Sequence, residues 1–179
     1  MKLNKMKLQG AYVITIEKLE DERGFFARTW DKEFFDSNGL NSDLVQCNIS
    51  FNRKKGTTRG LHYQIAPYEE AKLVRCTQGK VFEVIIDLRK NSETFLQWES
   101  IELDSKNHEM LFVPEGFALG LQTLEDDSEI CYQMSQFYKP EYSRGIKWND
   151  KTLNISWPLN PTVISEKDSN LGSLDEAMR

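Results

Sequence analysis

Lys80-Val-Phe-Glu-Val-Ile-Ile-Asp-Leu-Arg89 is the stretch that decides the fold class. Phe82, Val84, Ile86 and Leu88 form one continuous apolar row at every second position, the repeat of a β-strand and not of a helix. Similar short segments lie near residues 11–16, 45–52, 72–77, 97–103, 109–113, 117–124 and 129–137. Gly79, Asn107 and Gly116 punctuate the gaps between several of them. Many short strands at close spacing predict an antiparallel sandwich or barrel, because a parallel sheet needs long crossover helices. One short helix is expected between Asp31, near its start, and Gly39, at its end; a turn or helical piece begins at Ser165.

Composition sets the outer limits. A chain of 179 residues without repeats, low-complexity tracts or linkers reads as one domain. With 23 basic and 28 acidic residues the net charge is −5, which argues against a nucleic-acid surface while leaving room for a local basic pocket. Cys47, Cys76 and Cys131 contain no Cys-x-x-Cys pair, so neither a disulfide framework nor a zinc site is indicated. Each reads as a buried thiol in a reducing compartment. Met1 to Gly10 alternates lysines with apolar residues and has no secretory pattern, and no stretch approaches the ~18 apolar residues of a membrane span. A soluble, cytoplasmic protein is expected.

Alternation also assigns polar side chains to faces. Lys72 shares a face with Val74 and Cys76, and Tyr132 shares one with Ile130 and Met134. If those apolar rows face the barrel interior, an ammonium and a phenol project there too. An unpaired charge in an apolar interior is costly, so such groups normally line a wet, ligand-filled cavity. Gln46, Asn48, Ser50 and Asn52 occupy one face of their strand, with Val45, Cys47, Ile49 and Phe51 on the other. Periodicity leaves open whether the polar row lines the cavity or meets solvent.

Arg59-Gly-Leu-His-Tyr-Gln64 carries the chemistry. His62 titrates near neutrality with an unperturbed pKa of about 6.5, so it is usable as a base. Taken singly, a strand histidine is more often a hydrogen-bonded core residue. Lys72 could equally be a solvated strand lysine, Tyr132 a core tyrosine, and Asp168 a helix-capping or turn residue. Together they supply a base, a group to orient it, a cation for an enolate and a second proton donor. His108 falls in the turn-like Ser105-Lys-Asn-His108 and reads as a solvated loop residue. With no His-x-His, a metal site is not expected. Gly-x-Ser-x-Gly, Gly-x-Gly-x-x-Gly and phosphate-cradling loops are also missing.

The ordered set of motifs resembles the dTDP-4-dehydrorhamnose 3,5-epimerase family over about residues 8 to 172. The matching pieces are Asp21-Glu-Arg-Gly-Phe-Phe26, Gln46-Cys-Asn48-Ile-Ser50, Arg59 to Gln64, Lys72-Leu-Val-Arg75, Val81-Phe82 with Asp87-Leu-Arg89, and Val113-Pro-Glu-Gly-Phe-Ala118. Tyr132, Tyr138-Lys-Pro140, Ile146-Lys-Trp-Asn-Asp150 and Ser165-Glu-Lys-Asp168 complete them. The resemblance implies an all-β, double-stranded β-helix (a cupin-type jelly roll) with one or two short helices, residues 1–179 forming a single domain. It implies a homodimer with no metal or organic cofactor, epimerising a nucleotide-diphospho-4-keto sugar for surface polysaccharide biosynthesis. By the family pattern, His62 removes the ring proton and Asp168 orients it. Lys72 stabilises the enolate oxygen, and Tyr132 returns a proton from the opposite face. Arg23, Arg59 and Gln46 would hold the diphosphate, Phe26 would lie against the base, and Asn48, Tyr138 and Lys167 would frame the ligand.

Two positions depart from the pattern. Leu119 stands in Gly-Phe-Ala-Leu-Gly-Leu121 where the family usually reads Gly-Phe-Ala-His-Gly-Phe. This leaves open a 6-deoxyhexose or a heptose, and inversion at C3, C5 or both. Arg28 stands where a glutamate commonly contacts the thymine; a cationic donor replacing an acceptor points to GDP or CDP more than to dTDP. A 3,4-ketoisomerase on the same fold and a non-catalytic sugar-nucleotide binding module are the rival readings.

Overall fold

The computed structural model describes residues 1–178. Two antiparallel sheets face each other. The first has six strands: β1 (Lys2–Lys5), β2 (Tyr12–Thr15), β5 (Gln46–Asn52), β7 (Lys72–Gln78), β10 (Met110–Val113) and β12 (Ser128–Met134), in the order β1-β2-β10-β7-β12-β5. The second has five: β6 (Thr58–Gln64), β8 (Lys80–Asp87), β9 (Trp98–Asp104), β11 (Phe117–Thr123) and β13 (Ser143–Gly145), in the order β13-β6-β11-β8-β9. A separate hairpin pairs β3 (Leu19–Asp21) with β4 (Gly24–Phe26). Each sequence-predicted strand is present. The expected cupin-type jelly roll is the architecture of the chain. No described helix is long and apolar enough to cross a membrane.

Three apolar clusters explain the layering. Val74, Cys76 and Leu111 of the six-stranded sheet meet Val81, Ile85, Leu103 and Leu121 of the five-stranded sheet between the two. Outside the six-stranded sheet, Phe35 of helix α1 (Lys32–Ser37) and Leu40 pack on Leu73, Met110 and Phe112. Asp31 caps that helix, its carboxylate accepting from the Phe34 N–H at 3.1 Å, an interaction worth about 1 kcal/mol. Outside the five-stranded sheet, Ile146, Leu153 and Leu174 of the C-terminal segment cover Val84 and Ile86.

β8 is buried on both faces, which its apolar row alone did not disclose. Phe82, Val84, Ile86 and Leu88 lie under the C-terminal segment, with Phe82 edge-on to Trp157 at 6.0 Å. The opposite row, Val81, Glu83, Ile85 and Asp87, belongs to the inner face; Glu83 and Asp87 are fully buried there. Asp87 is satisfied by Arg89, Ser92 and Thr94.

Two short-range expectations need correction, and one reading left open by periodicity is decided. Of the cysteines only Cys76 is buried; Cys131 is half-buried and Cys47 exposed. β5 is an edge strand whose polar row faces the inter-sheet cavity, so its apolar row points outward and leaves Ile49 67% and Phe51 45% exposed. His108 is half-buried, its ring edge-on to Phe25 at 5.1 Å.

Candidate active site

A cavity of about 450 Å³ opens between the two sheets. β6 brings His62, Arg59 and Gln64 to its wall, while β7 brings Lys72 and Val74. Tyr132, Ile130 and Met134 come from β12, and Gln46, Asn48 and Ser50 from β5. The polar row of β5 therefore faces inward, and Asn52 at its end accepts from Arg59 Nε at 2.6 Å. His62 and Tyr132 belong to opposite sheets. A ligand held in this space has the imidazole on one side and the phenol on the other.

Backbone geometry aims His62. Gly60 adopts φ +96°, and a Cβ there would lie 2.7 Å from the Leu119 carbonyl oxygen. A Cβ on Gly120 would likewise meet Leu61 Cδ2 at 2.7 Å. Two glycines thus let β6 and β11 approach closely across an irregular register between Leu119 and Leu121. The Gly60 N–H is turned to donate to Asp168 Oδ2 at 3.2 Å.

Asp168 sits in α2 (Glu166–Ser169), whose N-cap Ser165 accepts from the Asp168 N–H at 3.1 Å. Its Oδ1 lies 2.7 Å from His62 Nε2. Burial pushes the Asp168 carboxyl up, but the His62 hydrogen bond and charge, with the Gly60 N–H, outweigh it and hold the group below its ordinary range. An ionised Asp168 accepts from Nε2–H, which selects the tautomer with a free lone pair on Nδ1. Nδ1 has no hydrogen-bond partner among the described residues, so it is the nitrogen available as a base.

Lys72 is nearly enclosed, and its Nζ pairs with Glu70 Oε1 at 2.8 Å. Glu70 escaped the sequence reading, although it precedes Lys72 by one strand period and shares its phase. Burial raises the Tyr132 phenol above its usual value, with the nearby Arg59 charge opposing that shift. The phenol is therefore protonated at neutral pH and can donate. Gln64 was also missed: its amide donates to the Tyr68 and Phe137 carbonyls and accepts from the Lys139 N–H. That ties down the segment carrying Tyr138, whose N–H donates to Gln46 Oε1 at 2.5 Å. Lys167 lines the cavity, and so does Leu119, the cross-strand partner of His62.

Arg23, Phe26 and Arg28 are not brought to this cavity within one chain. Arg23 pairs with Asp21 at 2.5 Å at the exposed turn of the hairpin, and Arg28 pairs with Asp31 at 2.6 Å. Phe26 and Arg28 line a separate depression with Leu19 and Phe34. Among the described residues, no three His, Cys, Asp or Glu side chains are grouped as metal ligands.

A base paired with a buried carboxylate, a facing phenol and an ion-paired lysine around one cavity define an enzyme of the proton-transfer class. Residues 5–176 match the family model of dTDP-4-dehydrorhamnose 3,5-epimerase. A Shigella flexneri protein of that name is 40% identical over 171 residues, covering 95% of this chain and 94% of its own. The crystal structure of the Elizabethkingia anophelis protein superposes with a TM-score of 0.95 at 38% identity, covering 100% of this chain and 99% of that one. The Bacillus anthracis protein, solved with TDP and PPi bound, gives 0.93 at 37% identity, covering 97% and 99%. The chain belongs to the dTDP-4-dehydrorhamnose 3,5-epimerase family and is an isomerase of the carbohydrate-epimerase class.

Proposed function

We propose that the chain inverts C3 and C5 of a dTDP-linked 4-keto-6-deoxyhexose, without a metal or organic cofactor. The observation that carries this reading is the placement of His62 and Tyr132 on opposite sheets around one cavity. His62 Nδ1 takes the proton from a carbon next to the ketone. Lys72 stabilises the oxyanion that develops at C4, an interaction worth most in a pocket that excludes water. Tyr132 protonates the carbon from the other face, which inverts it. Each inversion leaves a proton on His62 and a phenolate at Tyr132; exchange with solvent restores both.

Family membership and relatives named as 3,5-epimerases support two inverted centres and a dTDP carrier. The pull of Arg28 toward GDP or CDP is weakened by its pairing with Asp31, which already engages the guanidinium. Two exposed apolar surfaces, the hairpin with Leu19, Phe25 and Phe26 and the outer row of β5, support a homodimer. In that dimer, the hairpin of one protomer would bring Arg23, Phe26 and Arg28 to the cavity of the other. Three free thiols fit a cytoplasmic setting, where sugar nucleotides for polysaccharide synthesis are made.

Incubation in deuterium oxide with 4-keto-6-deoxy sugars carried on dTDP, GDP or CDP tests the whole reading. Label should enter at C3 and C5 of the dTDP sugar. Label at C3 alone would make the enzyme a mono-epimerase, and a product carbonyl moved to C3 would make it a 3,4-ketoisomerase. No incorporation from any donor would leave a binding module.

A further inference from the structure

The ion pair between Lys72 and Glu70 has no part in the chemistry so far. Among the described residues that line the cavity, Glu70 is the one acid, and it stands on the wall that presents Lys72. A free carboxylate there would repel an oxyanion formed beside the lysine. It is also costly to the fold: the side chain is 4% exposed, and Oε2 is buried with no hydrogen-bond partner among the described residues. The other oxygen, Oε1, meets Lys72 Nζ at 2.8 Å. Lys72 is thus the one side chain that the Glu70 carboxylate pairs with among those residues.

The backbone holds the pair together from the residue between them. The Ala71 N–H donates to Ser135 Oγ at 2.8 Å, and the Ala71 carbonyl accepts from the Ser135 N–H at 3.0 Å. The Ala71 methyl is buried with Phe35, Leu73 and Met110 outside the six-stranded sheet. Glu70 and Lys72, one residue to either side, share the opposite face and line the cavity. Lys72 opens β7 in register with Val113 and Met134, neither of which carries a charge. A lysine ammonium rides on a flexible four-carbon stem. Among the described residues, Glu70 alone fixes Nζ by a polar contact.

We propose that Glu70 is a positioning residue for Lys72: its carboxylate, two residues before the lysine and on the same face, fixes Nζ where the ketone oxygen is received. The role rests on the assignment of Lys72 to that oxygen. What matters is the reach of the Glu70 side chain and not its charge, because a negative charge at this wall works against the oxyanion. A cation misplaced by a fraction of a bond length loses much of its effect on the transition state.

Two substitutions in the full-length protein separate reach from charge. Glu70→Gln keeps the reach and drops the charge, whereas Glu70→Asp keeps the charge and shortens the reach by one methylene. Solvent-deuterium exchange into the dTDP sugar is measured with kcat and KM separated. Glu70→Gln should lower kcat by about threefold and Glu70→Asp by about thirtyfold, each with KM within about twofold of wild type. In a Lys72→Met background Glu70→Asp should cause no further loss, because the residue acts only through the ammonium. An acid with a merely structural role would lower the rate by the same factor in both backgrounds. That result, or a Glu70→Asp variant faster than Glu70→Gln, would overturn the role. If Glu70→Asp does not fold, Glu70→Ala takes its place with the same expectations. Failure of the wild type to exchange any 4-keto sugar defeats the enzymatic reading itself. An active wild type whose Glu70 variants are unimpaired defeats only the positioning role.

Discussion

His62 and Asp168, 106 residues apart in the chain, meet at 2.7 Å between Nε2 and Oδ1. The contact joins a strand of the five-stranded sheet to the short C-terminal helix that Ser165 caps. It fixes which imidazole nitrogen can act as a base. His62→Asn should abolish deuterium exchange at C3 and C5. Asp168→Asn keeps the shape but not the charge, and should lower exchange by about 10²-fold or more. Proton NMR of the sugar in deuterium oxide measures both, and full exchange in His62→Asn would remove that residue from its role.

Tyr132 should separate exchange from inversion. Without its hydroxyl, Tyr132→Phe leaves His62 to remove a proton and return deuterium to the same face. Labelled, uninverted sugar should accumulate, with inversion reduced by about 10²-fold or more. Equal loss of exchange and inversion would count against a two-face mechanism.

Lys72 should matter to both rate and stability. Lys72→Met removes the cation and should lower kcat by about 10²–10³-fold. It also strands Glu70, whose side chain is 4% exposed, at a cost of about 3–5 kcal/mol by chemical denaturation. Adding Glu70→Gln should recover most of the stability and none of the activity. Recovery of activity in the double variant would contradict the enolate role.

The outward apolar row of β5 gives a test of assembly. Ile49→Asp places a charge on a side chain that is 67% exposed in one chain. Sedimentation should shift to the monomer mass, and activity should fall with it, because Arg23 and Phe26 of one protomer would no longer reach the other. An active monomer would contradict the shared site.

Glu83 makes stability depend on pH in a definite direction. Below the ordinary value of 4.5, folded and unfolded chains both hold the proton and no penalty arises. Between there and about 8 the unfolded chain ionises first, so native stability is lost across that window and levels off above it. At pH 7 the loss is on the order of 3 kcal/mol. The stability difference between Glu83→Gln and wild type should therefore move in favour of the variant from pH 4.5 to 8. A difference independent of pH would mean that Glu83 does not titrate with folding.

Alternation made the strands and the inward phase of Lys72 and Tyr132 legible, because both depend only on local pleating. The N-cap residues Asp31 and Ser165 were legible for the same reason. Long-range partners were not. Gln64 beneath the Tyr138 segment depends on a loop whose path no periodicity encodes, whereas Glu70 is in phase with Lys72 and was legible in principle, though it lies just outside β7. The inner row of β8 was hidden by its outer one: Phe82, Val84, Ile86 and Leu88 gave a complete strand signal, and the strand is buried on both sides. The separation of Arg23, Phe26 and Arg28 from His62 is a property of the folded chain that motif order could not reveal.

A crystal structure of His62→Asn with the dTDP-4-keto sugar bound probes the catalytic arrangement most directly. The sugar ring should lie between position 62 and the Tyr132 hydroxyl, with its carbonyl oxygen within hydrogen-bond reach of Lys72 Nζ. A ring bound outside the cavity, or one with position 62 and Tyr132 on the same face, would contradict it.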